Sequence, residues 1–248
     1  MRAAVTTVEE RAELLDRATA TGQAIPQLTS DGPMSLDTAY AVQHAGIALR
    51  EGRGETVAGV KLGFTSKAKA EQMGVSDVII GSLTDRMRIE DGGTFDVSRG
   101  VHPRVEPEVA FRLGPDGEPA AVAPALEIID SRYRDFKFSL ADVVADNTSA
   151  SAFVIGPWTR IDQLAALAVD LLFDGEVVAS GSTADILGDP LRALPAAQRM
   201  AAAYGHRLGE GSVLLAGAAT AAVALKAGTH VEARVAGLGS VSVRTKEG

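Results

Sequence analysis

Cysteine is absent from this sequence of 248 residues. Its absence excludes disulfide bonds, thiolate nucleophiles, iron–sulfur clusters and cysteine-ligated zinc, so oxygen and nitrogen atoms are the ligands left for any metal. A basic excess is also absent, because 24 Lys and Arg face 32 Asp and Glu and give a net charge of −8 at pH 7. Without a block of basic residues to neutralise phosphates, we do not expect nucleic acid as a partner.

Long apolar runs are missing as well. The longest run, 213–225, contains Gly217 and Thr220 and falls short of the ~20 residues that a membrane-spanning helix needs. We therefore expect buried strands around a turn there, and no membrane partner. Charged residues appear near the N-terminus before any apolar stretch long enough for a secretory signal, which favours a cytoplasmic location.

Several common catalytic patterns are absent too. The sequence contains no His-x-x-x-His pair, no G-x-S-x-G motif, no Walker loop and no G-x-G-x-x-G motif. The most frequent zinc, hydrolase and nucleotide-binding sites are therefore not expected.

Apolar periodicity predicts helices first and short strands after them. Helices are expected over 7–21 and over 35–50, the second capped by Ser35 and with Gln43 on its polar face. Further segments are predicted as strands over 57–65, 102–113, 229–235 and 240–244, a hairpin over 168–180 around Asp174-Gly175, and helices over 139–146 and 190–204. This order predicts an α+β fold with a mixed sheet or barrel-like roll, in a single domain over 1–248 with a helical segment over 1–52 and the roll over 53–248.

Three acidic residues on predicted strands are candidates for chemistry. Glu106 and Glu108 fall on the same face of one strand, and Pro107 between them predicts a sheet edge or a bulge. Adjacent like charges repel, so a hard divalent cation with oxygen ligands is a natural partner. Glu127 lies in an apolar run, where an unpaired carboxylate is costly. Together with Lys61, which stands on a strand face beside glycine, these acids favour a metal site with a cationic helper.

Other interpretations of the same residues remain open at this stage. Paired glutamates on a strand are also typical of a solvated face, and Glu127 has the alternative of pairing with Arg104 or Lys61. The polar turn over 146–149 is typical of a helix end. Lys67 and Lys69 are expected on a solvated surface.

Four segments in their order and spacing resemble a known family. They are KLGFTS over 61–66, HPRVEPE over 102–108, ALEIIDSR over 125–132 and VADNTS over 144–149. The chain resembles, from about residue 37 to about residue 242, the 2-oxopent-4-enoate hydratase and 4-oxalocrotonate decarboxylase family of the fumarylacetoacetate hydrolase superfamily. The resemblance implies a mixed β-roll fold with N-terminal helices. It also implies Mg²⁺ or Mn²⁺ held by Glu106, Glu108 and Glu127, with Lys61 as the catalytic residue beside the substrate.

The resemblance further implies a substrate class and a pocket. Substrates of the family are small 2-oxo acids from the meta-cleavage degradation of aromatic compounds. The substrate-binding residues expected from it are Thr65, Ser66, Arg104, Asn147, Ser149 and Thr220. A homo-oligomer is expected, and a complex with a related hydratase or decarboxylase is possible within such a family.

Within the family, the segments over 130–138 and 238–244 look more like the decarboxylases. We therefore expect decarboxylation of 2-oxohex-3-enedioate (4-oxalocrotonate) to 2-hydroxypenta-2,4-dienoate. The alternative is hydration of that dienoate to 4-hydroxy-2-oxopentanoate at the same metal. Hydrolysis of an acylpyruvate and a role as a non-catalytic partner subunit are weaker alternatives. Hydrolysis needs an activated water, and the sequence shows no His-Glu pair placed to supply one. A purely structural subunit would not need the costly cluster of charged residues.

Overall fold

A computed structural model of the chain describes residues 7–66, 77–160 and 163–248, and Lys67 and Lys69 lie outside them. The helices are α1 Val8–Thr21, α2 Leu36–Gly52, α3 Leu140–Ala145 and α4 Ala193–Tyr204. Each of the first three begins after a hydroxyl cap: Thr7, Ser35 and Ser139 accept a backbone N–H of the first turn. The predicted helices are thereby confirmed. No helix in the described ranges is long and apolar enough to cross a membrane.

Short strands make up most of the remaining regular secondary structure. In chain order they are β1 Val57–Gly63, β2 Ile79–Thr84, β3 Arg88–Ile89, β4 Thr94–Asp96, β5 Arg104–Leu113, β6 Pro119–Ile129, β7 Ala150–Ile155, β8 Ala168–Phe173, β9 Glu176–Ser182, β10 Val213–Ala218, β11 Val223–Ala224, β12 His230–Val235 and β13 Gly239–Lys246. Asp174 and Gly175 have φ of 51° and 89° and form the predicted hairpin turn between β8 and β9. A two-residue turn of this kind requires positive φ at both positions.

The strands form two sheets. The larger has the order β2-β1-β10-β5-β6-β7-β3, with β11 paired to β5, and the smaller has the order β4-β13-β12-β8-β9. Most neighbours are antiparallel, whereas β1 with β10, β3 with β7 and β4 with β13 are parallel. The mixed sheets and the N-terminal helices confirm the predicted α+β class.

The two faces of β5 have different surroundings. Val105 packs in a cluster with residues of the smaller sheet, and Val109 and Phe111 pack in a cluster that contains residues of the helices. Because side chains alternate along a strand, Glu106 and Glu108 point to the opposite face. These two apolar clusters thus lie behind β5, whereas its other face carries the two glutamates and Ala110, which packs in a third apolar cluster.

Two sequence-based expectations were wrong in part. Gln43 is buried, and its Nε2 donates to the backbone oxygens of Ile80 and Val144 at 3.1 and 2.8 Å. It therefore connects α2 with β2 and α3, and it does not belong to a solvent face. Pro107 does not lie on an edge strand, because β5 pairs on both sides, but the predicted bulge is present as a shift of register between β10 and β5 from Leu215 to Ala218. Its carbonyl accepts from Ala219 N, so its missing N–H faces the interruption between β10 and β11.

Candidate active site

Three glutamates meet on the two central strands of the larger sheet. Glu106 on β5 is the register partner of Glu127 on β6, and Glu108 follows two residues later on the same face of β5. Each offers a carboxylate oxygen within 4.8 Å of those of the other two. Their residues are only 5%, 1% and 0% exposed. The interpretation of this pair as a solvated face is therefore wrong.

Lys61 supplies the positive charge beside this cluster. Its Nζ lies 2.9 Å from Glu127 Oε2 and donates to the Thr148 carbonyl at 3.1 Å. Burial alone would lower the pKa of Lys61, but the carboxylates of Glu127, Glu108 and Glu106 raise it above its usual range. Lys61 is therefore charged at neutral pH. Of the two partners that the sequence left open for Glu127, Arg104 and Lys61, the structure shows Lys61.

The cluster carries more negative charge than Lys61 can balance. Burial raises the pKa of Glu108 well above its usual range, and the Glu127 carboxylate raises it further. Burial likewise raises the pKa of Glu127, although Lys61 opposes this shift. Among the described residues, Glu108 Oε1 and Glu127 Oε1 have no hydrogen-bond partner.

This arrangement fits a hard divalent cation. Buried polar atoms normally have partners, and Mg²⁺ is bound through carboxylate oxygens. A dication would satisfy the unpartnered oxygens of Glu108 and Glu127 and would balance the excess charge. The three glutamates are thus chemically suited to Mg²⁺ or Mn²⁺.

Gly217 on β10 contributes to the placement of Glu108. Its N–H donates to Glu108 Oε2 at 2.9 Å. Its φ is 120°, and a Cβ at this position would overlap Thr65 Oγ1. Only glycine combines this backbone conformation with the close approach of Thr65. Thr65 therefore packs behind the backbone that orients a candidate metal ligand.

A left-handed turn after α3 carries the carbonyl that binds Lys61. Asn147, Thr148 and Ser149 have φ of 49°, 54° and 57°, a conformation that costs energy for residues other than glycine. The Asn147 side chain accepts from Ser82 N at 2.8 Å and donates to Ser82 O at 2.9 Å. These two bonds fix the turn against β2.

A buried ion pair stabilises the same turn from the other side. Arg132 Nε lies 2.5 Å from Asp146 Oδ1, and its terminal nitrogens donate to the Asp146 and Ala150 carbonyls at 2.6 and 3.2 Å. Burial raises the pKa of Asp146 to about 6, although Arg132 opposes the shift. Asp146 thus serves to position the turn, and its carboxylate is already committed to Arg132.

The cluster opens into a cavity of about 540 Å³. Its polar lining includes Lys61, Glu106, Arg104, Thr148 and Ser149, and its apolar lining includes Phe64, Ile79, Phe136, Phe138 and Val143. A volume of this size suits a small organic molecule. The glutamate cluster and a mostly apolar chamber therefore adjoin each other.

Only some of the predicted substrate-binding residues line the cavity. Arg104 and Ser149 line the cavity, and the buried Ser149 hydroxyl has no partner among the described residues. Thr65, Ser66, Asn147 and Thr220 are not among the described residues that line it. The Thr220 hydroxyl instead donates to the Ala221 carbonyl at 3.1 Å.

The sequence did not lead us to several residues that contribute to the cavity and its surroundings. Phe136, Lys137 and Phe138 line it from the loop before α3, and Thr148 contributes the carbonyl that binds Lys61. The two phenylalanines at alternating positions in a polar segment were an available signal. The Thr148 carbonyl had none, because a backbone atom carries no sequence signature.

Comparison with known proteins agrees with this geometry. The sequence profile described as Fumarylacetoacetate (FAA) hydrolase C-terminal matches residues 69–245. This chain belongs to the fumarylacetoacetate hydrolase family. The family assignment accounts for the mixed, curled sheets, and the predicted fold type is confirmed.

Relatives within the fumarylacetoacetate hydrolase family cover nearly the whole chain. A 4-oxalocrotonate decarboxylase from Pseudomonas sp is 50% identical over 94% of this chain and 96% of its own. A 2-keto-4-pentenoate hydratase from Paraburkholderia xenovorans is 35% identical over 94% of this chain and 93% of its own. The solved structure of a 4-oxalocrotonate decarboxylase from Pseudomonas putida G7, complexed with magnesium and adipate, has a TM-score of 0.91 at 36% identity and covers 96% of this chain and 97% of that one.

Proposed function

We propose that this chain is a lyase that decarboxylates 2-oxohex-3-enedioate to 2-hydroxypenta-2,4-dienoate. The observation that carries the proposal is the buried cluster of Glu106, Glu108, Glu127 and Lys61, of which Lys61 and Glu106 line a cavity of about 540 Å³. The 50% identity to a 4-oxalocrotonate decarboxylase over nearly the full length supports it. Adipate in the related magnesium-containing structure is a dicarboxylate with the same number of carbons as the proposed substrate.

Glu106, Glu108 and Glu127 would hold Mg²⁺ or Mn²⁺ through the carboxylate oxygens that converge between β5 and β6. A cation bound there supplies a Lewis acid for the 2-oxo group and the adjacent carboxylate of the substrate. The chain itself contributes the buried, preformed set of oxygens. Because Lys61 and Gly217 already hold Glu127 and Glu108, little reorganisation is needed when the site is filled.

In the proposed reaction the bond between C5 and the distal carboxylate carbon C6 breaks, and CO2 leaves. The electron pair moves through the conjugated chain to the oxygen on C2, which then takes a proton. Lys61 stabilises the negative charge on that oxygen. Its ammonium has three donors, of which Glu127 and the Thr148 carbonyl account for two. The remaining donor is available to a substrate, since Lys61 lines the cavity.

The apolar lining has a second role in this proposal. Phe64, Phe136 and Phe138 lie among the cavity walls and would surround the carbon chain of the substrate. Water excluded by these rings cannot add to the dienoate product. Exclusion of water also strengthens the electrostatic effect of Lys61.

The alternative function is hydration of 2-hydroxypenta-2,4-dienoate to 4-hydroxy-2-oxopentanoate. It is favoured by the 35% identity to a 2-keto-4-pentenoate hydratase, which also extends over 94% of the chain. Both reactions use a small 2-oxo acid or its enol and the same candidate metal ligands. Product analysis separates them.

The test gives the purified protein with Mg²⁺ either 2-oxohex-3-enedioate or 2-hydroxypenta-2,4-dienoate and follows CO2 and ultraviolet absorbance. We expect CO2 release that EDTA abolishes and that Glu106→Gln lacks while remaining folded by circular dichroism. Loss of the dienoate without CO2 release would identify the hydratase. Inactivity on both compounds would overturn the lyase proposal.

We further propose that the chain acts in the cytoplasm as a homo-oligomer. Val177 and Val178 on the edge strand β9 are 55% and 43% exposed, and apolar side chains on an exposed edge favour association. A complex with a related hydratase is chemically reasonable, because the proposed product is the hydratase substrate. Light scattering of the protein alone and mixed with such a hydratase tests both statements.

A further inference from the structure

Arg104 is a second cation in the cavity, separate from Lys61. It lies on the same face of β5 as Glu106, two residues earlier, and both line the cavity. Its guanidinium carbon lies 4.4 Å from the centre of the Phe136 ring. A cation stacked on an aromatic face in this way is held in place while its N–H groups remain free at the edges.

The N–H groups of the Arg104 guanidinium are not hydrogen-bonded within the part of the chain that the structure describes. The guanidinium makes no ion pair or hydrogen bond with these residues; its ring contact with Phe136 is its side-chain interaction there. Other partly or fully buried arginines differ: Arg132 binds Asp146, and Arg50 binds Glu55. A half-buried guanidinium with unused donors beside an apolar chamber is suited to an anionic ligand group.

The spacing along β5 fits the length of a six-carbon substrate. Positions two residues apart on one strand face are about 6.7 Å apart. A chain of six carbons joined by bonds of about 1.5 Å spans about 6 Å between its end carbons. A ligand whose 2-oxo acid end lies beside Glu106 and whose carbon chain runs along β5 would therefore bring its other end close to Arg104.

We infer that Arg104 binds the distal carboxylate of a 2-oxo dicarboxylate and makes the site selective for dicarboxylates over monocarboxylates. This inference rests on the proposed function, because it assumes that the 2-oxo acid end binds at the glutamate cluster. Arg104 is a binding residue for the group that leaves as CO2. The hydratase substrate has no second carboxylate, so this contact applies to the decarboxylase substrate.

The test measures binding, independently of turnover, by calorimetry with Mg²⁺ present. Two probes share the 2-oxo acid end and the chain length: 2-oxohexanedioate has the distal carboxylate, and 2-oxohexanoate lacks it. A lost charge-assisted pair weakens binding by about ten- to a hundredfold. We expect Arg104→Met to weaken the dicarboxylate by this factor and to leave the monocarboxylate unchanged, with partial recovery in Arg104→Lys.

Arg112→Met is the matched control. Arg112 lies on the same strand, and its guanidinium carbon is 5.3 Å from the Trp158 ring centre, but it is exposed and does not line the cavity among the described residues. The Arg112→Met variant should bind both probes with the affinities of the unmodified protein. Lys137→Met provides a second comparison, because Lys137, Lys61 and Arg104 are the basic residues among the described ones that line the cavity.

The possible results separate this inference from the proposed function. Equal weakening of both probes by Arg104→Met, or loss of selectivity in Lys137→Met and not in Arg104→Met, would overturn the role of Arg104. If the unmodified protein binds both probes equally, the inference fails while the metal-dependent site stands. If it binds neither probe with Mg²⁺, the proposed function fails as well.

Kinetics provide an independent signature. The distal carboxylate loses its charge as it becomes CO2, so its attraction to Arg104 is weaker in the transition state than in the bound substrate. Interactions of that kind lower KM and do not raise kcat. Arg104→Met should therefore raise KM for 2-oxohex-3-enedioate by about tenfold or more and change kcat less. A fall in kcat at constant KM would contradict this assignment.

Discussion

The surroundings of Glu108 disfavour the charged form of its carboxyl group when no cation is bound. It is buried beside Glu127, and both effects raise its pKa. Glu108→Gln removes the charge, and the amide oxygen can still accept from Gly217 N–H. We expect the metal-free protein to melt higher, by about 2–4 °C for each kcal/mol of repulsion relieved, and Mn²⁺ to bind more than about tenfold more weakly.

Scanning calorimetry in EDTA and electron paramagnetic resonance of Mn²⁺ measure these two effects. Glu118→Gln is the control, because Glu118 is an exposed acid at the turn between β5 and β6. It should change neither quantity. Unchanged Mn²⁺ affinity in Glu108→Gln would remove Glu108 from the metal site.

Lys61 is expected to affect turnover without supporting metal binding. Lys61→Met removes the donor beside the reacting oxygen, and loss of one such donor lowers kcat by about 100- to 1000-fold. Mn²⁺ should bind at least as tightly as before, because a positive charge 2.9 Å from Glu127 is gone. Lys226→Met, at an exposed lysine, should leave kcat unchanged. Loss of Mn²⁺ binding in Lys61→Met would show that the variant disrupts the site as a whole.

At the scale of elements, the fit between β2 and the left-handed turn sets the position of the Thr148 carbonyl. A Cβ at Gly81 would lie 2.8 Å from the Asn147 carbonyl and 3.1 Å from Thr148 Cβ. Gly81→Ala should therefore displace the turn, cost about 1–3 kcal/mol of stability and lower kcat through Lys61. Urea unfolding and CO2 release measure the two effects.

Gly46→Ala is the matched control for that substitution. Gly46 lies within α2, and a Cβ there would meet no atom within 4 Å. Alanine should stabilise the helix by up to about 1 kcal/mol and leave kcat unchanged. If Gly81→Ala behaved in the same way, the turn would have no part in positioning Lys61.

The elements themselves could be predicted largely from local sequence signals. Ser139 and Asp142 predicted the start of α3, and Asp174-Gly175 predicted the turn between β8 and β9, because caps and tight turns depend on neighbouring residues. The burial of Gln43 could not be predicted in this way. Its partners are the carbonyls of Ile80 and Val144, which are distant in sequence and carry no side-chain signal.

The same distinction between local signals and tertiary packing applies to the residues of the candidate site. Glu106, Glu108 and Glu127 could be grouped from their residue types and strand period, and the structure brings them together. Asn147 was expected to contact substrate, yet its amide bonds to the backbone of Ser82. The sequence indicated that the turn matters, but only the packing against β2 separates a residue that supports the turn from one that faces the cavity.

At the scale of the whole molecule, strand order is what assembles the site. Lys61 and Glu127 are distant in sequence, and β10 and β5 lie between β1 and β6 in the larger sheet. The parallel pairing of β1 with β10 aligns Lys61 with Leu215. Parallel neighbours joined by long connections leave no local signal, so the ion pair between Lys61 and Glu127 depends on the complete sheet. We therefore expect the metal-binding site to form only in the folded chain.

His206 joins the helices to the larger sheet and should make stability depend on pH. Its Nδ1 lies 3.1 Å from Ser82 Oγ on β2, and its ring packs against His44 and Tyr40 of α2. Burial, and next His44, lower the pKa of His206 from 6.5 to about 4. Between these values the unfolded chain binds a proton that the folded protein does not, so the contribution is complete above pH 6.5 and is lost as pH falls towards 4.

At pH 5 this difference amounts to about 2 kcal/mol relative to pH 7. We expect urea unfolding to show that His206→Gln flattens the decline of the free energy of unfolding between pH 7 and pH 5. Asp146 has the opposite dependence, since its pKa is raised to about 6, but it is common to both proteins and cancels in their difference. His230→Gln, on β12 of the smaller sheet, is the control and should retain the slope of the unmodified protein. Parallel curves for His206→Gln and the unmodified protein would show that the contact between helices and sheet does not depend on a neutral His206.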